Sequence, residues 1–264
     1  MRIGLLTGSG AHDWPGLHDA ARRTVATEHG PVDVVEGTVA GAEVVQVSRH
    51  GPAHERLSHQ VTHKANLAAL LGEGVDAVIA VTVCGAVDPT LEPGTLVVFD
   101  DLYFPTNRLP DGSACTWFDQ PGAAGRGHWI FDRPFSEPLR QALLQGHPDA
   151  GILSTVHDGG CYGHVDGPRF NTRTEIAALA QVGVTAVSQT AGPEVVLAGE
   201  AGLPLALVGF VTDYANGVAS EPEPVQALLA RLADSATHLA RLVERALPHV
   251  GDLTGAGVVH RVGP

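Results

Sequence analysis

A chain of 264 residues, 44% hydrophobic and 17% charged, has the length and composition of one large α/β domain with a substantial core, and is too apolar to be disordered. Its 16 Lys and Arg against 29 Asp and Glu, a net charge of −13, argue against a nucleic-acid binder, because a phosphate backbone needs clustered cations. A small anion is still compatible, since one Arg and a few backbone amides can hold it locally.

In chain order, Met1-Arg2 leads directly into the apolar Ile3–Leu6, a run too short for a signal peptide and spaced like a buried strand. Glu43–Val47, Ala77–Val83, Thr95–Phe99 and Leu205–Val211 read as further buried strands. Thr62–Leu71 and Thr172–Gln181 read as helices, closed by Gly72 and Gly183 in the C′ position. Val225, Leu228, Leu229, Leu232, Leu239 and Leu242 recur at helical spacing after Pro222 and Pro224. Helices on a mixed sheet, an α/β sandwich in a single domain over 1–264, are expected. Leu102 to Gly127 holds prolines, glycines and little periodicity; so long a loop is usually functional or an interface element. The tail from Pro248 to Pro264 reads as irregular. Three cysteines, Cys84, Cys115 and Cys161, show no paired spacing, so reduced thiols in a cytoplasm are expected. No apolar run approaches the ~20 residues of a membrane span.

Chemistry-bearing residues gather where strands end. The first strand runs into Thr7-Gly8-Ser9-Gly10, a turn that lets backbone N–H groups and a hydroxyl approach an anion. It lacks the Gly-Lys-Ser/Thr of a P-loop, and Asp13 stands where a dinucleotide fingerprint needs its third glycine. The second strand ends in Ser48-Arg49-His50-Gly51, with an Arg fork suited to phosphate oxygens. His54 and His59 imitate a zinc-binding helix but lie five apart, ~140° round a helix, and cannot share a metal. His59 and His63 have the i, i+4 spacing but no third ligand nearby, so no metal is expected. Cys84, in the apolar run Val81-Thr82-Val83-Cys84-Gly85, reads as inert core. Asp166-Gly167-Pro168-Arg169-Phe170, Ser188-Gln189-Thr190 and Thr212-Asp213-Tyr214 add hydroxyls, a ring and an acid. This inventory suits binding of an anion and a polar ring; no triad for covalent catalysis is evident.

Read in order, Gly8-Ser9-Gly10, Arg49-His50-Gly51, Thr82-Val83-Cys84-Gly85, Gly167-Pro168-Arg169-Phe170, Pro193-Glu194-Val195-Val196-Leu197-Ala198 and Thr212-Asp213-Tyr214 resemble the motifs of the methylthioadenosine phosphorylase branch of the trimeric purine-nucleoside phosphorylases. The resemblance spans about residues 3 to 214. It implies an α/β sandwich around a mixed sheet with a distorted, partly barrel-like region, assembled as a homotrimer. It implies phosphate contacts from Ser9, Arg49, His50, Thr82, Thr190 and the Val83 amide. It implies Phe170 against the base, Asp213 beside purine N7 as the catalytic acid, and His128 reaching a neighbouring subunit's nucleoside site. Inorganic phosphate is then the co-substrate, and neither metal nor organic cofactor is expected. Three positions depart from the family pattern. Gln189 replaces the usual Met against the ribose, where an amide can bond a ribose hydroxyl or mark a different sugar. Ala215 replaces a second acid of adenine-specific members, and Ala86 replaces a Ser. Asp213 still favours a 6-amino purine; 6-oxopurine nucleosides, a nucleoside hydrolase and a noncatalytic binder are the alternatives.

Overall fold

The computed structural model describes residues 1–9, 11, 14–146, 154–221, 223–251 and 253–262. Gly10 of the first turn, Asp13 of the failed fingerprint and Pro222 before the last helix lie outside the described residues. The chain opens with β1 (Arg2–Thr7), a hairpin of β2 (His18–Thr27) and β3 (Gly30–Val39), then β4 (Ala42–Ser48), α1 (His63–Gly72) and β5 (Ala77–Ala86). Three short strands, β6 (Leu96–Val98), β7 (Asp101–Tyr103) and β8 (Gly127–Ile130), precede α2 (Glu137–Gly146). Next come β9 (Val156–Asp158), β10 (Cys161–His164), α3 (Arg173–Gln181), β11 (Val184–Ser188) and α4 (Ala191–Glu200). The described chain ends with β12 (Leu205–Tyr214), α5 (Val225–Ala246) and β13 (Val258–Arg261).

The five expected strands are β1, β4, β5, β6 and β12, and the expected helices are α1, α3 and α5. Two details differ. Gly74, not Gly72, takes the left-handed position after α1 (φ +67°), because the helix runs one residue further and caps at Glu73. Gly74 N–H then donates to Leu71 O at 3.0 Å and Val75 N–H to Leu70 O at 3.3 Å, closing the last turn. The tail is also more regular than expected: β13 pairs antiparallel with β8, and Trp129 of that ribbon donates its indole N–H to Ala256 O at 2.8 Å. The stretch between β7 and β8 contains no named element, as expected, and only an isolated bridge from Arg108 to Ala114.

Side chains alternate across the sheet, so each buried strand feeds two cores. Ile3 and Leu5 join Leu139 and Leu143 of α2 and Leu239 and Leu242 of α5. Leu6 joins Leu67 and Leu70 of α1 and Val195 and Leu197 of α4. Helices thus cover both faces of a mixed sheet, an α/β sandwich.

β5 organises this sheet. One edge pairs with β12 along its length, Val78 opposite Leu205 through Ala86 opposite Tyr214. The other edge changes partner: Ala77–Ala80 pair in parallel with β1, while Gly85 and Ala86 pair antiparallel with β11. No described strand pairs with that edge between Ala80 and Gly85. Beyond β5 the pairing goes round through β12, β6, β9, β10 and β11, as β6 leads into β7 and β9 into β10. The bend between β9 and β10 uses Gly159 and Gly160, both at positive φ, and Asp100 accepts from Gly160 N–H at 2.7 Å. The ladders break there, so the sheet is barrel-like without being a closed barrel.

Candidate active site

Where β5 changes partner, the sheet opens a cavity of about 260 Å³. Its walls are the ends of parallel strands: Gly8 and Ser9 after β1, His50 after β4, Thr82–Gly85 on β5, and Thr212 and Asp213 on β12. Ligands of open α/β sheets bind at such carboxyl ends, where strand order switches.

One set of lining residues gathers hydroxyls and an imidazole, groups that can hold an anion. Gly8, Ser9, His50, Thr82 and Thr190 all belong to it. Thr190 is the N-cap residue of α4, yet its hydroxyl makes no capping bond. The capping is done from behind: Tyr162 OH accepts from the N–H groups of Thr190 (3.4 Å) and Ala191 (3.1 Å), and His164 Nδ1 from Gly192 N–H at 3.3 Å. The Thr82 hydroxyl lies 3.1 Å from Ser188 Oγ, and Val83 lines the cavity on the unpaired edge of β5. His50 Nδ1 lies 2.9 Å from the Arg56 carbonyl and so carries the proton; Nε2 is left as an acceptor on the Gly8 side. Burial, opposed by that bond and reinforced by the Arg49 charge, lowers His50 to about 4, so the ring is neutral at neutral pH. A neutral His50 suits the P–OH of monoprotonated phosphate.

Arg49 is placed differently from the sequence expectation. Its guanidinium is fully buried and does not line the cavity. Nε and Nη2 donate to the Glu194 carboxylate at 2.5 and 2.7 Å, and Nη1 donates to Val81 O at 2.5 Å. Nη1 packs under Gly8, where a Cβ would approach it to 3.2 Å. Arg49 therefore braces the floor of the anion end, fastening β4 to β5 and α4, with its charge balanced by Glu194.

A second set of lining residues holds Asp213, Ala215, Asn216 and Phe170, with Leu228 and Leu232 of α5. Thr212 is an extra residue between Val211, opposite Cys84, and Asp213, opposite Gly85; this bulge re-aims the acid. Arg231 of α5 braces it by donating Nη1 to Thr212 O at 2.9 Å. Burial raises the Asp213 pKa above the ordinary carboxylate value, against the Thr212 hydroxyl bond of 2.7 Å that lowers it. A raised pKa favours the protonated form that a general acid uses. Phe170 is 67% exposed and stands at the mouth. Gln189 also lines the cavity.

His128 lies outside the cavity, exposed on β8 opposite His260. His63 is buried with Nδ1 3.7 Å from Glu194, while His59 is exposed, and no grouping of three metal-ligating side chains occurs among the described residues. Cys84 is buried, which pushes its thiol pKa far up and leaves it unreactive.

Residues 2–248 match the Phosphorylase superfamily. The chain belongs to that family. It is 36% identical to the S-methyl-5'-thioadenosine phosphorylase of Caenorhabditis elegans over 81% of this chain and 74% of that protein. It is 30% identical to the 6-oxopurine nucleoside phosphorylase of Pyrococcus furiosus over 94% of this chain and 92% of that one. In three dimensions it superposes on the methylthioadenosine phosphorylase of Schistosoma mansoni, solved with adenine, at a TM-score of 0.85 and 28% identity, covering 94% and 91% of the two chains. The superfamily fold agrees with the α/β architecture expected from the sequence. Not foreseen were the roles of Ser58, Ser188, Tyr162, Glu194 and Arg231. Ser188 and Glu194 lie inside quoted motifs, but only the fold shows what they touch.

Proposed function

We propose that this phosphorylase cleaves the N-glycosidic bond of a purine nucleoside with inorganic phosphate, and that its substrate is methylthioadenosine or another 5′-modified adenosine. The observation that carries this reading is one cavity lined by Asp213, a carboxyl whose pKa burial raises, and by a cluster of hydroxyls with a neutral imidazole. Phosphate held by Ser9, His50, Thr82, Thr190 and the Val83 amide adds an oxygen to C1′ as the bond from C1′ to N9 breaks. The electron pair leaves with the purine, and Asp213 supplies the proton at N7. No step passes through a metal or organic cofactor. Leu228 and Leu232 give the cavity an apolar side that suits a thioether at the 5′ position better than a charged group.

The base is the point on which relatives divide. With its proton directed to N7, the other carboxyl oxygen of Asp213 accepts from a 6-amino group, whereas a 6-oxo group offers that oxygen no donor. An unmatched polar pair costs ~1–3 kcal/mol. Methylthioadenosine is therefore expected to exceed methylthioinosine by at least about tenfold in kcat/KM. The second reading, a 6-oxopurine nucleoside phosphorylase, is favoured by the apolar Ala215 beside Asn216. Assays of both nucleosides with and without phosphate separate these readings, and cleavage without phosphate would indicate a hydrolase.

We further propose a homotrimer in the cytoplasm in which His128 completes a neighbour's nucleoside site. His128 shares the exposed face of the β8–β13 ribbon with Ile130 and Val258, a face suited to burial between subunits. The free thiols of Cys84, Cys115 and Cys161 fit a reducing compartment, and no helix among the described residues is long and apolar enough to cross a membrane. Light scattering is expected to give three times the chain mass, and His128→Ala to raise the nucleoside KM. A fully active monomer would contradict both.

A further inference from the structure

Gln189 is held at both ends of its amide. Ser58 donates its hydroxyl to Gln189 Oε1 at 2.8 Å, and Gln189 Nε2 donates to the Arg169 carbonyl at 2.9 Å. A backbone carbonyl only accepts, so Nε2 faces Arg169 and the amide has one orientation. Gly167 lies flush over the Ser58 bond: a Cβ there would overlap both Ser58 Oγ and Gln189 Oε1, so the position admits only glycine without disturbing the pair. Each end of the amide keeps one valence, a lone pair on Oε1 and a proton on Nε2.

Its place in the cavity says what those valences meet. The preceding residue, Ser188, touches Thr82 at the anion end, while the amide reaches the neighbour of Phe170 at the base end. Gln189 thus spans the middle of the cavity. In a nucleoside cleaved as described above, the middle holds the sugar. An oriented acceptor and donor side by side match a cis pair of hydroxyls: one hydroxyl donates to Oε1 and its neighbour accepts from Nε2. An apolar side chain at this position would contact the sugar without distinguishing a hydroxyl from hydrogen.

We propose that Gln189, oriented by Ser58, reads the 2′,3′-diol of the sugar and makes the protein selective for ribonucleosides over 2′-deoxyribonucleosides. The inference rests on the phosphorolysis reading for its choice of ligand. With a 2′-deoxy sugar the Oε1 lone pair faces a methylene and stays unmatched, which is expected to cost at least about tenfold.

The test compares adenosine with 2′-deoxyadenosine in the wild-type protein, Gln189→Met and Ser58→Ala, by kcat/KM and by calorimetric Kd. A wild-type preference for adenosine of at least about tenfold is expected. It should fall to near unity in Gln189→Met through loss on adenosine, and to an intermediate value in Ser58→Ala. If Gln189 is only a strap across the wall, both nucleosides suffer equally and the ratio is unchanged, which overturns the proposal, as does a wild-type ratio near unity. Ser58→Ala, which leaves the amide in place and frees only its orientation, carries the test if the Met variant does not fold. Because Kd reads sugar discrimination without turnover, ribose-selective binding without phosphate-dependent cleavage would strike the reaction and leave this inference standing. A protein that binds neither nucleoside overturns it.

Discussion

Arg49→Ala is expected to lower the unfolding free energy by about 3–5 kcal/mol, the cost of leaving a buried charge without its partner. Glu194 is fully buried, and its carboxylate is held by Arg49 through two bonds with His63 nearby. In a chain of this length such a loss moves Tm on the order of 10 °C. Replacing both residues, Arg49→Met with Glu194→Met, should recover much of it, because no uncompensated charge remains. Thermal unfolding of the two single variants and the double variant checks this. An Arg49→Ala protein as stable as wild type would show that the pair contributes little. The double variant also separates two roles that Arg49→Ala confounds: an unchanged phosphate KM there would confine Arg49 to bracing. The pair has an acid signature as well. Burial opposes ionisation of Glu194, but Arg49 and His63 outweigh it and hold the carboxyl at about 2, against 4.5 when unperturbed. The stability it contributes is present above the unperturbed value and is lost as pH falls from about 4.5 toward 2. The double variant should lack that dependence.

Asp213→Ala is expected to reduce kcat by about 10²–10⁴-fold, the usual worth of a positioned general acid, while the phosphate KM changes little. Asp213 pairs opposite Gly85, three residues along β5 from Thr82 of the hydroxyl cluster. With a raised pKa the wild-type acid stays protonated at higher pH than an ordinary carboxyl, so kcat should decline on the alkaline side as Asp213 ionises. Asp213→Asn should abolish that limb and narrow or reverse the preference for 6-amino purines, since an amide can also donate to a 6-oxo group. Equal turnover of methylthioadenosine and methylthioinosine by the wild type would remove the adenosine assignment and leave phosphorolysis intact. A kcat for Asp213→Ala within a few-fold of wild type would remove the acid.

The sequence was most legible where burial is two-sided. β1, β5 and β12 are continuous apolar runs because helices cover both faces of the sheet. β2 was invisible for the opposite reason: its ten residues include Arg22 and Arg23 and are almost wholly exposed, with no alternation to mark a strand. At the site, Ser9, His50, Thr82, Thr190 and Asp213 announce themselves as polar groups ending apolar strands. Arg49 does the same, but sequence shows its chemistry and not its partner, which lies 145 residues further along. The Ser58 bond to Gln189 spans 131 residues and is equally hidden. The tail was misread because Val258 and Val259 form a strand only against β8.

The change of partner along β5 also governs how the protein comes into being. A ribosome delivers β5 long before β11 and β12, which supply the wall with Gln189 and the bulge carrying Asp213. Until β11 and α4 have emerged, the nascent chain lacks Thr190 of the anion end and Glu194 beneath its floor. Until about residue 214 it lacks the base wall and leaves an apolar edge of Val78, Ile79 and Val81 bare. Nucleoside and phosphate together can therefore stabilise only the finished chain. That waiting edge is open to aggregation during synthesis.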